Sequence, residues 1–285
     1  MSERKSSEQI SKRKTDSYES LKGSAQSKTN LHTGKPVDKT LFCRFEQKYL
    51  ISESKAQAVS QFIKPYLQLD RYSKLRRGGS YPIVSLYLDS NDLQLCRESM
   101  TGQKNRFKLR IRSYTDEPEY PRFFEIKRRM NTIIIKSRAR VMHHDVASLL
   151  SGLSLPSKSY DTDEEALKQF QLYVRSINAG PVIRIRYMRQ AYEGDSDNRV
   201  RVTFDRELCY NVTRTVDISL NSPGWQRHTY TMGGVILEIK FTACYPAWLG
   251  RMVEYFNLCQ TSISKYSTSI EEACELGFCA PQLLV

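Results

Sequence analysis

Six short segments of this chain carry charged side chains two residues apart, the spacing that puts them on one face of a β-strand, about 7 Å from one another. Arg44, Glu46 and Lys48 alternate with Cys43, Phe45 and Tyr49, and Lys108, Arg110 and Arg112 alternate with Phe107, Leu109 and Ile111. Glu125 and Lys127 alternate with Phe124 and Ile126, while Lys136, Arg138 and Arg140 share one parity. Arg199, Arg201, Thr203 and Asp205 oppose Val200, Val202 and Phe204, and Glu238 and Lys240 oppose Leu237, Ile239 and Phe241. Any one of these strands reads as half of an ordinary sheet with its polar side in water. Repeated six times, with the polar side mostly Arg and Lys, the pattern points instead to a shared cationic interior covered outside by helices. Cations packed together repel unless anions lie between them, so such an interior suits phosphates or carboxylates.

The elements that must position these residues follow from the same periodicities. Strands are expected over 41–51, 82–89, 105–114, 121–128, 131–141, 182–192, 199–206 and 234–242, rich in β-branched and aromatic residues and separated by Gly, Pro, Asn or Ser. About eight strands suffice to close a small barrel. Ser52 can cap a helix whose Ala56, Val59, Ile63 and Tyr66 form one stripe. Asp161 or Thr162 can begin a second, with Leu167, Phe170, Val174 and Ile177 on one face, and a third follows Pro246 with Trp248, Met252, Val253 and Phe256. These stripes read as core packing.

Composition narrows the function classes. The 285 residues include 44 Lys and Arg against 31 Asp and Glu, a formal charge of +13, which favours a polyanionic partner. Residues 1–38 hold eight basic and five acidic side chains in a Ser- and Lys-rich stretch with few aliphatics, so residues 1–40 read as a disordered basic tail ahead of a domain over 41–285. No run of apolar residues is long enough to span a bilayer and no secretory signal opens the chain, which gives a cytoplasmic protein as the expectation. Seven scattered cysteines without a CxxC pair disfavour a zinc site or a disulfide framework, and four histidines leave little for histidine-centred catalysis. There is no GxxxxGK[ST] loop, and Gly78-Gly79 is an isolated pair. Aromatics are nearly absent from the charged faces, so base-stacking nucleic-acid recognition has little support and no nucleic-acid partner is expected.

The ordered fragments Arg44-Phe-Glu-Gln-Lys-Tyr49, Lys108-Leu-Arg-Ile-Arg-Ser-Tyr114, Phe124-Glu-Ile-Lys127, Tyr187-Met-Arg189, Arg201-Val-Thr-Phe-Asp205, Leu237-Glu-Ile-Lys-Phe241 and Ile263-Ser-Lys-Tyr266 resemble the VTC (vacuolar transporter chaperone) polyphosphate polymerase domain. The resemblance spans roughly residues 41–267. It implies an α+β fold of the triphosphate tunnel metalloenzyme, or CYTH-like, superfamily: a closed antiparallel β-barrel with flanking helices. It implies a phosphate-binding and catalytic set of Lys48, Arg110, Arg112, Lys127, Arg189, Arg201, Lys240 and Lys265, with Lys108, Lys136 and Tyr187 contacting substrate. Near Lys136, Arg138 and Arg140 are neighbouring basic candidates. Glu238 is implied as the ligand of Mn2+ or Mg2+, with Glu46 and Glu125 as charge-balancing residues. The implied reaction moves the γ-phosphate of ATP onto a growing polyphosphate chain; a metal-dependent triphosphatase on the same barrel and a non-catalytic polyphosphate-binding module are the alternatives.

Two features depart from the simplest picture. The wider superfamily often opens with two glutamates two residues apart, and Arg44 stands at the first of those positions, which favours the polymerase branch. Parity also places Tyr187 and Arg189 with Ile183 and Ile185, opposite Arg184 and Arg186, so a bulge or a barrel-end position is expected there. The regulatory SPX domain and membrane helices of eukaryotic relatives are not recognisable in these residues.

Overall fold

The computed structural model describes residues 44–131, 133–153, 161–194, 200–242 and 245–277. The tail of residues 1–40 and Arg199 lie outside them, as do the side chains of Arg44, Asp161 and Thr162. Ten strands form one antiparallel sheet: β1 (Arg44–Ser52), β2 (Gln68–Leu69), β3 (Tyr81–Asp89), β4 (Asn105–Ser113), β5 (Arg122–Met130), β6 (Ile133–Val141), β7 (Gly180–Glu193), β8 (Arg201–Val212), β9 (Gln226–Arg227) and β10 (Gly234–Thr242). Its main path runs β1-β10-β8-β7-β3-β4-β5-β6. Among the described residues, seven α-helices accompany it: α1 (Glu53–Ile63), α2 (Arg71–Lys74), α3 (Gln94–Met100), α4 (Val146–Leu150), α5 (Asp161–Ser176), α6 (Ala247–Tyr255) and α7 (Lys265–Glu275). No helix among the described residues is long and apolar enough to cross a membrane.

The period-2 patterns became sheet faces as their chemistry requires. Tyr49, Val202, Phe204, Leu237, Ile239 and Phe241 pack under α1 and α6 through Ala56, Val59, Ile63, Trp248 and Met252. Val84, Leu86, Leu109, Ile111, Phe124 and Ile126 pack under α4 and α5 through Val146, Leu149, Leu167 and Phe170. Helix α1 starts where Ser52 accepts a hydrogen bond from the Lys55 amide, the cap expected of it. The apolar faces therefore point outward beneath helices, and the charged faces point to the other side of the sheet.

That other side is strongly concave. Six inter-strand steps separate β1 from β5, about 29 Å on a flat sheet, yet the Glu46 carboxylate of β1 lies 3.6 Å from the Lys127 ammonium of β5. Only a sheet curled round its charged face allows that contact. The expected closed barrel is nevertheless not formed, because no ladder joins β1 to β6. The free edge of β1 is taken by the segment leading into α7: the Thr261 amide donates to the Lys48 carbonyl at 2.8 Å, and Tyr49 bridges to Gln260. That contact covers part of the edge at which β6 would have closed the sheet.

The parity conflict on β7 resolves differently from expectation. A bulge is present, but it lies in β8, where Glu207 and Leu208 stand opposite Tyr187 and Glu207 takes φ 54°. Strand β7 keeps an unbroken register against β3 from Arg189 to Ile183, so Ile183, Ile185, Tyr187 and Arg189 share the concave face. Arg184 and Arg186 point outward, where Arg184 pairs with Asp217, Arg186 donates to the Leu220 carbonyl at 2.6 Å, and both lie over the Trp225 ring. The concave face is charged along only half its length. Its other half is apolar and filled by Ile263, Tyr266 and Ile270 of α7 and the turn before it, against Ile83, Tyr87, Ile183 and Ile185. Of the described cysteines, Cys96, Cys209 and Cys259 are free and Cys274 is disulfide-bonded.

This orientation makes the outer and inner residues of β4 opposite in their response to truncation. Ile111→Ala, at a site with no exposed surface beneath α5, should lower stability by about 2 to 5 kcal/mol while leaving anion affinity intact. Urea unfolding with tripolyphosphate titration of the folded variant checks both halves; a stable variant that loses anion binding would invert the assignment of faces.

Candidate anion-binding site

On the charged half of the concave side, Lys48, Lys108, Arg110, Arg112, Lys127, Arg138, Arg189, Lys240 and Lys265 meet only four carboxylates, Glu46, Glu125, Asp205 and Glu238. Among the described residues, basic groups there outnumber acidic ones by nine to four. Strand pairing explains the assembly: Lys48 lies across from Glu238, Glu46 from Lys240, Lys108 from Lys127, Arg110 from Glu125, and Arg189 from Asp205. Cross-strand partners share a face, so each ladder step adds one ion to the interior.

The carboxylates divide the cations into two groups. Glu125 accepts from Arg110 Nε at 2.6 Å and Arg138 Nε at 2.7 Å, with Arg112 at 3.9 Å. Burial would raise its pKa, but the three guanidiniums hold it well below the usual carboxylate range. Asp205 accepts from Arg189 Nε at 2.7 Å and Nη2 at 2.8 Å and from Lys265 Nζ at 2.7 Å. Against the effect of burial, these cations draw Asp205 down to about 2. Glu238 sits 2.8 Å from Lys240 Nζ and 3.6 Å from Arg189 Nη2, and it too is held well below its ordinary value in spite of burial. Tyr187 lies between Arg189 and Lys265, whose charges stand 5.3 and 4.9 Å from its ring centre, and its hydroxyl takes a 3.5 Å hydrogen bond from Arg112.

Three of the lysines are lowered, chiefly by burial. Burial first, and then the Lys127 and Lys48 ammoniums, push Lys108 down to about 7, although its amine reaches Ser264 Oγ at 2.7 Å. Burial lowers Lys127 and Lys240 as well, with Glu46 and Glu238 opposing it. Lys265 is raised, because Asp205, Tyr187 and Glu238 outweigh its burial. Lys48 donates to the Ile263 carbonyl at 2.8 Å, tying the turn before α7 to the site.

Two expected residues stand apart. Arg201 is at the rim, held by Asp70 at 2.7 Å and Glu193 at 2.8 Å rather than by the interior carboxylates. Lys136 lies opposite Lys127 but exposed on the edge strand β6. Two residues that the alternation placed on charged faces, but outside the expected site set, take part as well. Asp205 is the joint partner of Arg189 and Lys265, and Arg138 rather than Lys136 touches Glu125. Tyr81, Tyr114, Phe123 and Tyr187 all lie on the concave side, correcting the expectation that aromatics are nearly absent from the charged faces. The signal was available, since Tyr114 and Phe123 are each one alternation step from a charged residue already assigned inward, Arg112 and Glu125.

Among the described residues no three His, Cys, Asp or Glu side chains form a ready-made metal centre. Glu238 and Glu46 flank the Lys240 ammonium at 2.8 and 3.8 Å and offer two carboxylates. Mg2+ is commonly held by one or two carboxylates together with substrate phosphates, and the donor set fits an ion arriving in that way.

Residues 43–273 match the VTC domain family. Curated proteins give no sequence match. Solved structures with a similar chain course include an adenylate cyclase candidate of Bacillus halodurans, 12% identical, covering 78% of this chain and 95% of its own, with a TM-score of 0.42. A Pyrococcus horikoshii OT3 protein is 13% identical over 81% of this chain and 99% of its own, at 0.41. An adenylyl cyclase candidate of Hippeastrum, described with a dominant triphosphatase activity, is 13% identical over 83% and 97%, at 0.41.

The depressed Lys108 makes anion binding a proton-linked event. Near pH 8 its amine is largely neutral in the empty site, and a bound polyanion restores the charged form, so binding takes up a proton. Calorimetric titration of tripolyphosphate in buffers of different ionisation enthalpy should show an uptake approaching one proton in wild type relative to Lys108→Met; equal values in both would remove Lys108 from the linkage. In acid the carboxylates act with the opposite sign. Asp205 contributes stability above its unfolded value near 4, and that contribution is lost as pH falls toward 2, so Asp205→Asn should flatten the acid limb of a thermal-melt profile.

Proposed function

The chain belongs to the VTC domain family, and on that premise we propose that it is a polyphosphate polymerase, transferring the γ-phosphate of ATP to inorganic polyphosphate held along its concave cationic face. The observation that carries the reading is the surplus of Lys and Arg over carboxylates on the concave face, nine against four among the described residues, which a multiply charged anion would relieve. Phosphoryl transfer asks the protein chiefly to align the reactants and to neutralise equatorial phosphate oxygens. Arg110 and Arg112 stand on successive inward positions of β4, spaced to grip neighbouring phosphates, and Lys127, Lys240, Arg189 and Lys265 approach from the facing strands and α7. A divalent ion bound at Glu238 and Glu46, Mn2+ or Mg2+, would supply additional charge neutralisation between phosphates.

Among the described residues, the state of the interior carboxylates supports polymerisation over triphosphatase action. Glu125, Asp205 and Glu238 are ion-paired and held weakly basic, and Lys108 becomes protonated once an anion arrives. Water needs a proton acceptor to become a good nucleophile, whereas the terminal oxygen of a polyphosphate is already an anion.

Purified protein incubated with ATP and Mn2+ or Mg2+ is expected to yield long polyphosphate on gels. Orthophosphate released from tripolyphosphate would favour the hydrolase instead, and binding without turnover a non-catalytic module. Arg110→Ala or Arg112→Ala should weaken tripolyphosphate by about 1.5 to 3 kcal/mol, one to two decades in Kd. Glu238→Gln should reduce metal-dependent kcat severely while leaving polyphosphate affinity within a few-fold of wild type.

A further inference from the structure

One end of the concave side is filled by α7, and the other carries a group of aromatic rings that the phosphate chemistry does not use. Four segments supply them. Tyr72 comes from α2, Tyr81 from the start of β3, Tyr114 from just beyond β4 and Phe123 from β5. Tyr72 and Tyr114 are parallel within 3° with centroids 6.4 Å apart, Tyr81 lies 5.8 Å from Tyr72 and 6.2 Å from Tyr114, and Tyr114 meets Phe123 edge-on at 5.7 Å. The group is continuous with the cationic half: Arg138 covers the Phe123 ring at 4.4 Å and donates to the Tyr114 hydroxyl at 3.4 Å, and Arg201 reaches the Tyr81 hydroxyl at 3.5 Å.

Tyr72 differs from the other three in being 44% exposed. Its backbone is nonetheless firmly placed. The buried Asp70 carboxylate accepts from the Ser73 amide at 2.8 Å, the Tyr81 hydroxyl at 3.2 Å and Arg201 at 2.7 Å. The Asp70 amide donates to the Ala191 carbonyl at 2.8 Å, and Ser73 Oγ accepts from the Ala191 amide at 3.1 Å. A short helix is thus fastened to β7 on both sides of a ring that is left half in solvent, with the Arg71 guanidinium 5.2 Å from its centre. A rigidly held, partly exposed aromatic beside cations that neutralise phosphate is the arrangement that stacks a nucleobase whose phosphates are bound next to it.

Resting on the anion-binding function above, we propose that this end is a nucleobase subsite: the base of a nucleoside triphosphate stacks on Tyr72, while its phosphates pass Arg201, Arg138 and Arg112 toward the interior. Stacking engages the π-face that every base has, so the subsite separates a nucleoside triphosphate from bare tripolyphosphate more than one base from another. It also orients the nucleotide with its γ-phosphate leading inward.

The test compares ATP with tripolyphosphate, each by calorimetry on the full-length protein. Tyr72→Ala should weaken ATP by roughly 5- to 100-fold, the range for loss of one base–aromatic stack, with tripolyphosphate within two-fold of wild type. Tyr72→Phe should restore ATP affinity, and Tyr72→Leu, which keeps bulk without the π-system, should behave as the alanine variant does. The leucine variant serves as the readout if alanine lowers the melting temperature. Equal weakening of both ligands, or an unchanged ATP affinity in both ring-deleting variants, overturns the subsite and leaves the anion site standing. Failure of wild type to bind tripolyphosphate would instead overturn the anion-binding function, and the subsite with it.

Discussion

The crowding of cations on one concave face is the constraint to which the rest of this structure answers. Nine Lys and Arg side chains share a concave space with four carboxylates, and the pKa shifts record the balance: cations hold Glu125, Asp205 and Glu238 low, carboxylates and tyrosines hold Arg110, Arg112, Arg138, Arg189 and Lys265 high against their burial, and burial lowers Lys108, Lys127 and Lys240. Such a site is unfavourable to assemble. It is held in place by the opposite faces of the same strands, where Leu109, Ile111, Phe124 and Ile126 on one side and Val202, Phe204, Leu237 and Ile239 on the other are buried beneath helices. The alternation of a β-strand is what lets one backbone serve both purposes.

The same constraint explains how the carboxylates are used. Each one satisfies several cations instead of one: Glu125 takes three arginines, Asp205 takes Arg189 and Lys265, and Glu46 stands near Lys48, Lys127 and Lys240. Sharing leaves guanidinium and ammonium donors only partly neutralised and directed inward, a preorganised environment for a ligand that brings negative charge of its own. The turn into α7 is part of this arrangement. Asp89 accepts from the Leu95 and Cys96 amides at 2.9 Å and from the Tyr266 hydroxyl, which locks α3 to α7 and so sets the position of Lys265 and Ser264 beside the interior.

The strands and their inward residues were legible in the sequence because both depend on a period that needs no knowledge of the partner. Lys48, Arg110, Arg112, Lys127, Lys240 and Glu238 occupy the faces that alternation assigns to them, and the apolar stripes of α1, α5 and α6 cover the outer faces as expected. The argument failed where it assumed that an inward face must be charged from end to end. On β7, Ile183 and Ile185 are inward because α7 fills that half, and the outward Arg184 and Arg186 find Asp217, the Leu220 carbonyl and Trp225 in a loop far along the chain. Helix α7 itself carries a stripe of Tyr266, Ile270, Ala273 and Cys274 behind a capping Ser264, a helical period that a search for strand alternation does not register.

What the sequence alone determined is which residues share a strand face, since that follows from backbone geometry within a few residues, together with a surplus of positive charge that calls for an anion. Only the tertiary structure decided which cations compete for which carboxylate, that the Gln260–Thr261 segment rather than β6 takes the edge of β1 and leaves the sheet open, and that Tyr72, Tyr81, Tyr114 and Phe123 meet at one end. The physical reason is the same in each case. Hydrogen-bonding edges, shared counter-charges and ring contacts are formed between segments distant along the chain, and their outcome is settled by the curvature of the whole sheet, which no local period encodes.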